Sequence, residues 1–361
     1  METASPEQPV AKDWPPDPKA LGGQVRTVCL VLIALCVVGA TLYFLRPILT
    51  PLFIALFFFF LLKPVTSAVA RWRIPYWIAY PVLTVLLVLA LLVIGDVVQS
   101  SAHSFHKRWP EYQKRLVSVV DDYARLTGHA DEDGRFDWEK QSLQELLNFS
   151  SGDLIKQAAT HTLDFTEVAV LAVFYLLFIF MEANKLPQRI DRALKPGAAE
   201  RTRQVMKNID DGIKGYLVVK TGISLGLGIT TGLLCYFFGV DFWPLWALVM
   251  FLGNYITYVG SIVALVPPIV LAFLQLSPIT ATVFAGVFTG VRFLWIDYLE
   301  MRFSGKQLNI SPLILLLSLA IFGLLWGVVG MVLAVPIVTA TKIILFNFQS
   351  TRHLAILGSE E

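Results

Sequence analysis

Charge is what this chain has least of, and its absence is concentrated. From Phe242 to Val291 there is no Asp, Glu, Lys, Arg or His, and from Gln307 to Thr341 there is none again. Charged residues make up 16% of the sequence against 56% hydrophobic, which excludes an ordinary soluble globule. Cysteine is scarce as well. Cys29, Cys36 and Cys235 all fall in apolar stretches without Cys-x-x-Cys spacing, so neither a disulfide framework nor a metal site is implied. His-Glu-x-x-His, Gly-x-Ser-x-Gly and Walker-type patterns are missing. No enzyme, catalytic residue, cofactor or metal is therefore expected, and active transport would have to run on an ion gradient. The histidines, His103, His106, His129, His161 and His353, lie outside the apolar runs. The net charge of +2 is too small to decide anything, since membrane proteins express charge as asymmetry between loops, and no nucleic-acid partner is expected.

What is present is a series of apolar runs, near 28–45, 48–62, 74–95, 165–182, 216–239 and 278–297, plus two overlong ones, 242–275 and 310–346. As one helix, the uncharged stretch 307–341 would be about 52 Å long at 1.5 Å per residue. A hydrocarbon core is about 30 Å thick and helix tilt seldom exceeds about 40°. Each overlong run must therefore break, and Gly260, Pro267, Pro268, Gly323, Gly327, Gly330 and Pro336 are the places where it can. The runs also rhyme: Gly260 to Leu265 followed by Pro267, and Gly330 to Val335 followed by Pro336. Gly/Pro-interrupted apolar segments in corresponding places of two halves point to the binding site of a secondary transporter. If each is a re-entrant hairpin, 216–275 and 278–346 form an inverted repeat. Gly222/Gly226, Gly228/Gly232 and Gly286/Gly290 offer small-residue spacings for close packing. Chance similarity of Gly-rich apolar helices is the other reading.

The expected fold is an all-α polytopic membrane protein with six to eight transmembrane helices, including broken or re-entrant ones. Its parts run as follows: a Pro-rich tail over 1–26, membrane helices over 27–98, an extracytoplasmic helical hairpin over 99–164, a span at 165–182, a basic loop at 183–215, the transport core over 216–346 and a tail over 347–361. Within 99–164, Trp109, Tyr112, Leu116, Val119, Tyr123 and Leu126 recur at helical steps. A polar turn at 128–134 then leads to Leu143, Leu146, Leu147 and Ile155. Lys63, Arg71 and Arg73, and the basic residues between 185 and 214, place both termini in the cytoplasm. The basic loop reads first as that topology signal and second as a contact for anionic lipid.

Polar residues flank the breaks. Asn254, Tyr255, Thr257 and Tyr258 surround the first, and Asn309, Ser311 and Pro312 open the second run. They can bind a small hydroxylated solute, or they can satisfy the broken backbone. Asp297, Glu300 and Arg302, with Arg292 ahead of them, can exchange a proton or cation, or can be interfacial and inert. Lys220, five residues into its run, reads as a snorkelling side chain.

Three stretches together resemble the autoinducer-2 exporter family of bacterial membrane proteins. They are Gly253-Asn254-Tyr255-Ile256-Thr257-Tyr258-Val259-Gly260, Asp297-Tyr298-Leu299-Glu300-Met301-Arg302 through Gly305, and Asn309-Ile310-Ser311-Pro312 through Trp326-Gly327 and Gly330-Met331 to Pro336. The family pattern has proline at Thr257, asparagine at Asp297 and proline at Met301. The resemblance covers most of 25–358 and implies a bacterial inner-membrane protein that exports a small polar signal molecule. Some members of that family resemble sodium or lithium/proton antiporters. It also implies a homo-oligomer, a pentamer among the forms open, in which a substrate-carrying part moves against a static scaffold. The expected partners are thus a small polar solute, protons or sodium, the lipid bilayer and further copies of the chain. An antiporter, and a non-transporting scaffold served by 99–164, stand beside the exporter as readings.

Overall fold

The computed structural model describes residues 18–71, 75–127, 151–183, 185–257, 259–304 and 310–347. The polar turn at 128–134, the stretch carrying Leu143, Leu146 and Leu147, the tails 1–17 and 348–361, and Tyr258, Gly305, Lys306 and Asn309 lie outside the described residues. What is described is helical throughout. In a hydrocarbon solvent a helix closes every backbone hydrogen bond within itself. The outward faces are accordingly apolar: Phe178 is 65% exposed, Phe237 78% and Leu324 80%. Five described helices are long and apolar enough to cross a membrane, six if the bent pair at 167–193 is counted.

Helix α1 (Pro18–Phe44) belongs to a unit of its own, Met1–Leu49, and exposes Leu30, Leu32, Val37 and Phe44. In the second unit, α2 (Arg46–Arg71, here from Thr50), α3 (Tyr76–Thr127) and α4 (Ser151–Ala183) share a small core of Ala55, Phe59, Leu176 and Phe180. Tyr80 stacks on Phe180 with centroids 4.2 Å apart. The expected separation between a span ending near 95 and a new helix beyond 99 is absent: α3 runs 52 residues without a break. Likewise the expected basic loop at 183–215 is largely helical, made of α5 (Leu186–Ala193) and the first half of α6 (Pro196–Phe238).

The long α6 is the axis of the remaining elements. It ends at Gly239, whose φ of +73° is the left-handed stop that glycine provides without strain. Helices α7 (Trp243–Gly253) and α8 (Val259–Gln275) then fold back on each other. At their open end Asp241 N–H donates to Gln275 Oε1 at 3.0 Å, and Gln275 Nε2 donates to Asp241 Oδ2 at 2.6 Å. At their closed end the chains are so close that a Cβ on Gly260 would overlap the Gly253 carbonyl. The distal half of α3 holds the open end. Arg108 and Tyr112 donate to Asp241 Oδ2, and Arg115 donates to the carbonyls of Leu274 and Gln275 at 3.0 and 2.8 Å.

After α9 (Pro278–Arg292), a π-helical turn (Phe293–Glu300) and α10 (Met301–Ser304), the second long run, α11 (Pro312–Asn347), also doubles back. Gly327 sits at φ 65°, ψ −143°, a conformation closed to other residues. Its arms run antiparallel, since Ile314, Leu317 and Ile321 line one cavity with Val338, Thr341 and Leu345. A Cβ on Gly330 would overlap the Phe322 carbonyl. Pro267, Pro268 and Pro336, expected as breaks, instead lie inside helices. A fixed φ near −65° suits a helix once the lost N–H is absorbed, whereas reversal needs a positive φ or a polar turn.

The two hairpins seat on α6 from opposite ends. Asn347 O accepts from Arg201, Thr339 and Ile343 lie against Gly212, and Val335 packs with Ile213, Tyr216 and Leu217. From the other end, Trp243 and Ala247 lie against Gly232, Phe251 against Gly228, and Asn254 bonds Ser224. Among the described residues, a Cβ on Gly222, Gly286 or Gly290 would meet no other element within 4 Å, so only part of the expected small-residue spacing is used. Both reversals therefore fall near the middle of α6. With the native cysteines replaced by serine, Asp241→Cys and Gln275→Cys should be joined by a short bifunctional thiol reagent. A single crossing would hold the two sites about 50 Å apart, and failure to join at full labelling would refute the hairpin.

Candidate functional site

The first reversal, from Asn254, brings polar side chains onto α6. Asn254 Nδ2 donates to Ser224 Oγ at 2.9 Å, and Tyr255 OH donates to Thr221 Oγ1 at 2.8 Å. Asn254 is 2% exposed, and Tyr255 is walled by the rings of Phe57 and Phe251, each 5.6 Å away. One turn further along α6 lies Lys220, 3% exposed, with its Nζ 2.5 Å from Glu300 Oε1. An ammonium and a carboxylate at such depth remain charged only as a pair, because each alone would cost several kcal/mol to desolvate. Glu300 comes from the π-helical turn, whose Trp295 lies so close over Gly226 that a Cβ there would overlap its ring.

Not all of the buried polarity is satisfied. Among the described residues, Thr50 Oγ1, Tyr216 OH, Thr231 Oγ1, Thr257 Oγ1, Arg292 Nε, Glu300 Oε2 and Trp326 Nε1 are buried without a partner at full hydrogen-bond geometry. The Tyr216 phenol and the Thr257 hydroxyl stand within hydrogen-bonding reach of each other, and Glu300 and Tyr255 lie within electrostatic reach of the phenol. Buried polar atoms left unpaired are rare in native structures and each calls for an explanation. Three of these seven atoms gather at one place, the Tyr216 and Thr257 hydroxyls beside the Lys220–Glu300 pair and the second oxygen of Glu300 within it. Together such groups can both donate and accept hydrogen bonds. Trp326 stands immediately before the second reversal, against Phe53 at 4.5 Å and stacked on Phe322 at 5.5 Å.

The expected site residues separate into groups. Asn254, Tyr255, Thr257 and Gly260 gather at the first reversal, and Glu300 reaches Lys220 beside it. Ser311 and Pro312 sit at the open end of the second hairpin, because that run turns at Gly327 and not at its start. Asp297, Glu300 and Arg302 do not converge. Asp297 is 42% exposed and meets Arg292 at 3.4 Å, whereas Arg302 reaches the Tyr298 hydroxyl at 3.2 Å. Arg292 also donates to Ser261 Oγ at 3.3 Å. Lys220, Tyr216, Ser224 and Thr221 are the residues that sequence reasoning missed. Lys220 was read as a snorkelling group, yet it is buried midway along the 43-residue α6. Lys220 is the last charge on α6, followed by an uncharged stretch to Phe238, and a lysine so far into an apolar run was the signal that it needs a carboxylate partner.

A polytopic helical protein with two reversed hairpins seated on one long helix, the first beside a buried polar centre, has the architecture of a membrane transporter. Comparison with known proteins is specific. The profile described as AI-2E family transporter matches residues 32–349, and the chain belongs to that family. It is 26% identical to the AI-2 transport protein TqsA of Escherichia coli strain K12, over 92% of this chain and 95% of that protein. A putative transport protein of Haemophilus influenzae is 28% identical over 92% and 96%. Another, of Borreliella burgdorferi, is 27% identical over 92% and 90%.

Lys220→Met and Glu300→Gln should each cost about 3 kcal/mol of stability, since one charge is left buried and unpaired. The double variant should cost clearly less than the sum. Thermal unfolding in detergent measures both, and strictly additive losses would show that the pair is not formed.

Proposed function

We propose that this protein is a secondary exporter of a small polar molecule, of the chemical class to which autoinducer-2 belongs, driven by an ion gradient across the bacterial inner membrane. The observation that carries the reading is the polar centre beside the first reversal, where the Tyr216 and Thr257 hydroxyls stand against each other and the second oxygen of Glu300 is open, next to Lys220. Hydroxyl donors and a carboxylate acceptor suit a hydroxylated solute, whose water they replace. The name of the Escherichia coli relative supports the same substrate class. Glu300 is the proposed ion-coupling group, because its second oxygen is free to take a proton while the first is held by Lys220. A gap of about 210 Å3, lined by Ile54, Phe57, Leu91, Ala172, Val328 and Val332, lies between the second hairpin and α2–α4. That looseness suits a core that moves against a scaffold. In this reading both termini and the basic 183–215 segment are cytoplasmic.

The antiporter alternative has two grounds, the Asp297, Glu300 and Arg302 cluster and the aspartate at 297 where the family pattern has asparagine; the cluster is dispersed, so the alternative rests on Asp297, which meets Arg292. It predicts sodium- or lithium-dependent proton flux in vesicles without organic solute, lost in Asp297→Asn.

Near-isosteric removal of these hydroxyls makes a sharp test. If Tyr216 and Thr257 only pair with each other, Tyr216→Phe and Thr257→Val cost a little stability and leave apparent solute affinity unchanged. As solute ligands, each should weaken apparent solute affinity about tenfold at matched expression, as measured by flux in reconstituted vesicles. Glu300→Gln should abolish gradient-driven accumulation and leave solute exchange. Unaltered coupling in a folded Glu300→Gln protein would remove Glu300 from that role.

A further inference from the structure

Helix α5 is the element that the transport reading does not use. It follows an apolar span whose outward residues Phe174, Phe178 and Met181 are 57%, 65% and 64% exposed. The chain leaves that span at Glu182 and bends by 53° into α5. Leu186, Ile190 and Ala193 fall on one side of α5, with Leu194 after it, and Gln188, Asp191 and Arg192 fall on the other. None of its residues is buried in the protein, and Leu186 and Leu194 are 39% and 40% exposed. An apolar face left open where a span ends meets the boundary between acyl chains and headgroups.

Charge identifies the lipid. The acids around α5 are already matched: Glu182 by Arg189, and Asp191 and Glu200 by Arg203 at 3.2 Å each. The side chains of Lys185, Arg192 and Lys195 are exposed and have no ion pair among the described residues. Across 182–214 there are eight Lys or Arg against five Asp or Glu. We infer that α5 lies in the membrane surface and that Lys185, Arg192 and Lys195 hold the headgroups of anionic phospholipids. Only Lys195 separates Leu194 from α6, so the bound lipid anchors the end of the helix that carries Lys220. The inference does not depend on which solute is transported.

The test uses the full chain in vesicles, with Cys29, Cys36 and Cys235 replaced by serine and a bimane label on Leu186→Cys, Gln188→Cys or Leu194→Cys. Nitroxide on the acyl chain of phosphatidylglycerol or of phosphatidylcholine serves as quencher at equal mole fraction. Labels at 186 and 194 should be quenched and the label at 188 spared. Phosphatidylglycerol should quench more than phosphatidylcholine. Lys185→Gln, Arg192→Gln and Lys195→Gln should each reduce that preference about fivefold. Lys207→Gln with Lys214→Gln, which removes charge elsewhere, should leave it intact. Equal quenching at all three positions, or no preference between the lipids, overturns the proposal. So does loss of the preference in the Lys207/Lys214 variant, which would make it an effect of overall charge. Abolition by added inorganic phosphate would mean a soluble-anion site instead and overturns it as well.

Discussion

Everything in the second unit follows from the need to close backbone hydrogen bonds where no water is available. A chain that reverses inside apolar surroundings exposes amides and carbonyls that a continuous helix would satisfy. The first reversal meets the demand with short local bonds. Asn254 N–H donates to Met250 O at 3.1 Å, Tyr255 N–H to Leu252 O at 3.1 Å, Ile256 N–H to Gly253 O at 3.0 Å and Gly260 N–H to Ile256 O at 3.1 Å. The second compresses its turn into one glycine at a backbone angle that no side chain tolerates. Each solution demands room, and the glycines at 253, 260 and 330 provide it by letting one arm's backbone touch the other's.

A reversal at depth brings polar side chains with it, and those need partners in turn. Asn254 and Tyr255 find theirs on Ser224 and Thr221, so α6 is more than a packing surface: it is the donor and acceptor rail along which the first hairpin is registered. The Lys220–Glu300 pair extends that rail to the π-helical turn. A π-helix is uncommon and concentrates at functional positions, because its i→i+5 bonds widen the turn and redirect side chains. Here the redirected side chain is Glu300. An ordinary helical continuation from α9 would set a different angle between Trp295, seated on Gly226, and Glu300, seated on Lys220.

The sequence carried the hairpins more clearly than the site. Two runs without charge and too long to cross once could only bend, and that argument needs nothing but length and bilayer thickness. It left the bending point open. Proline looked as good a candidate as glycine, yet Pro268 and Pro336 are buried inside helices and Gly327 is the bend. The site was harder because hydropathy dates the start of a span from its last charge. Lys214 therefore appeared to open the span, which put Lys220 near an interface. Helix α6 starts at Pro196, so Lys220 lies deep on a long axis. Asp297, Glu300 and Arg302 looked like one cluster for a similar reason. Closeness in sequence was taken for closeness in space, and the wide π-turn sends them apart.

The opposed seating of the two hairpins has a mechanical consequence. Contacts with the second hairpin occupy α6 from Arg201 to Leu217, and contacts with the first occupy it from Thr221 to Gly232. Lys220 lies at the join between these territories, and its partner Glu300 belongs to the segment that links the hairpins in sequence. Any slide of one hairpin along α6 must therefore either carry the Lys220–Glu300 pair with it or part it. Parting strands two charges away from water, so the pair resists independent motion of the halves unless a proton or a solute takes up one of the freed groups. In the proposed reading movement and occupancy would be coupled at this single contact, which is the condition a secondary transporter has to meet.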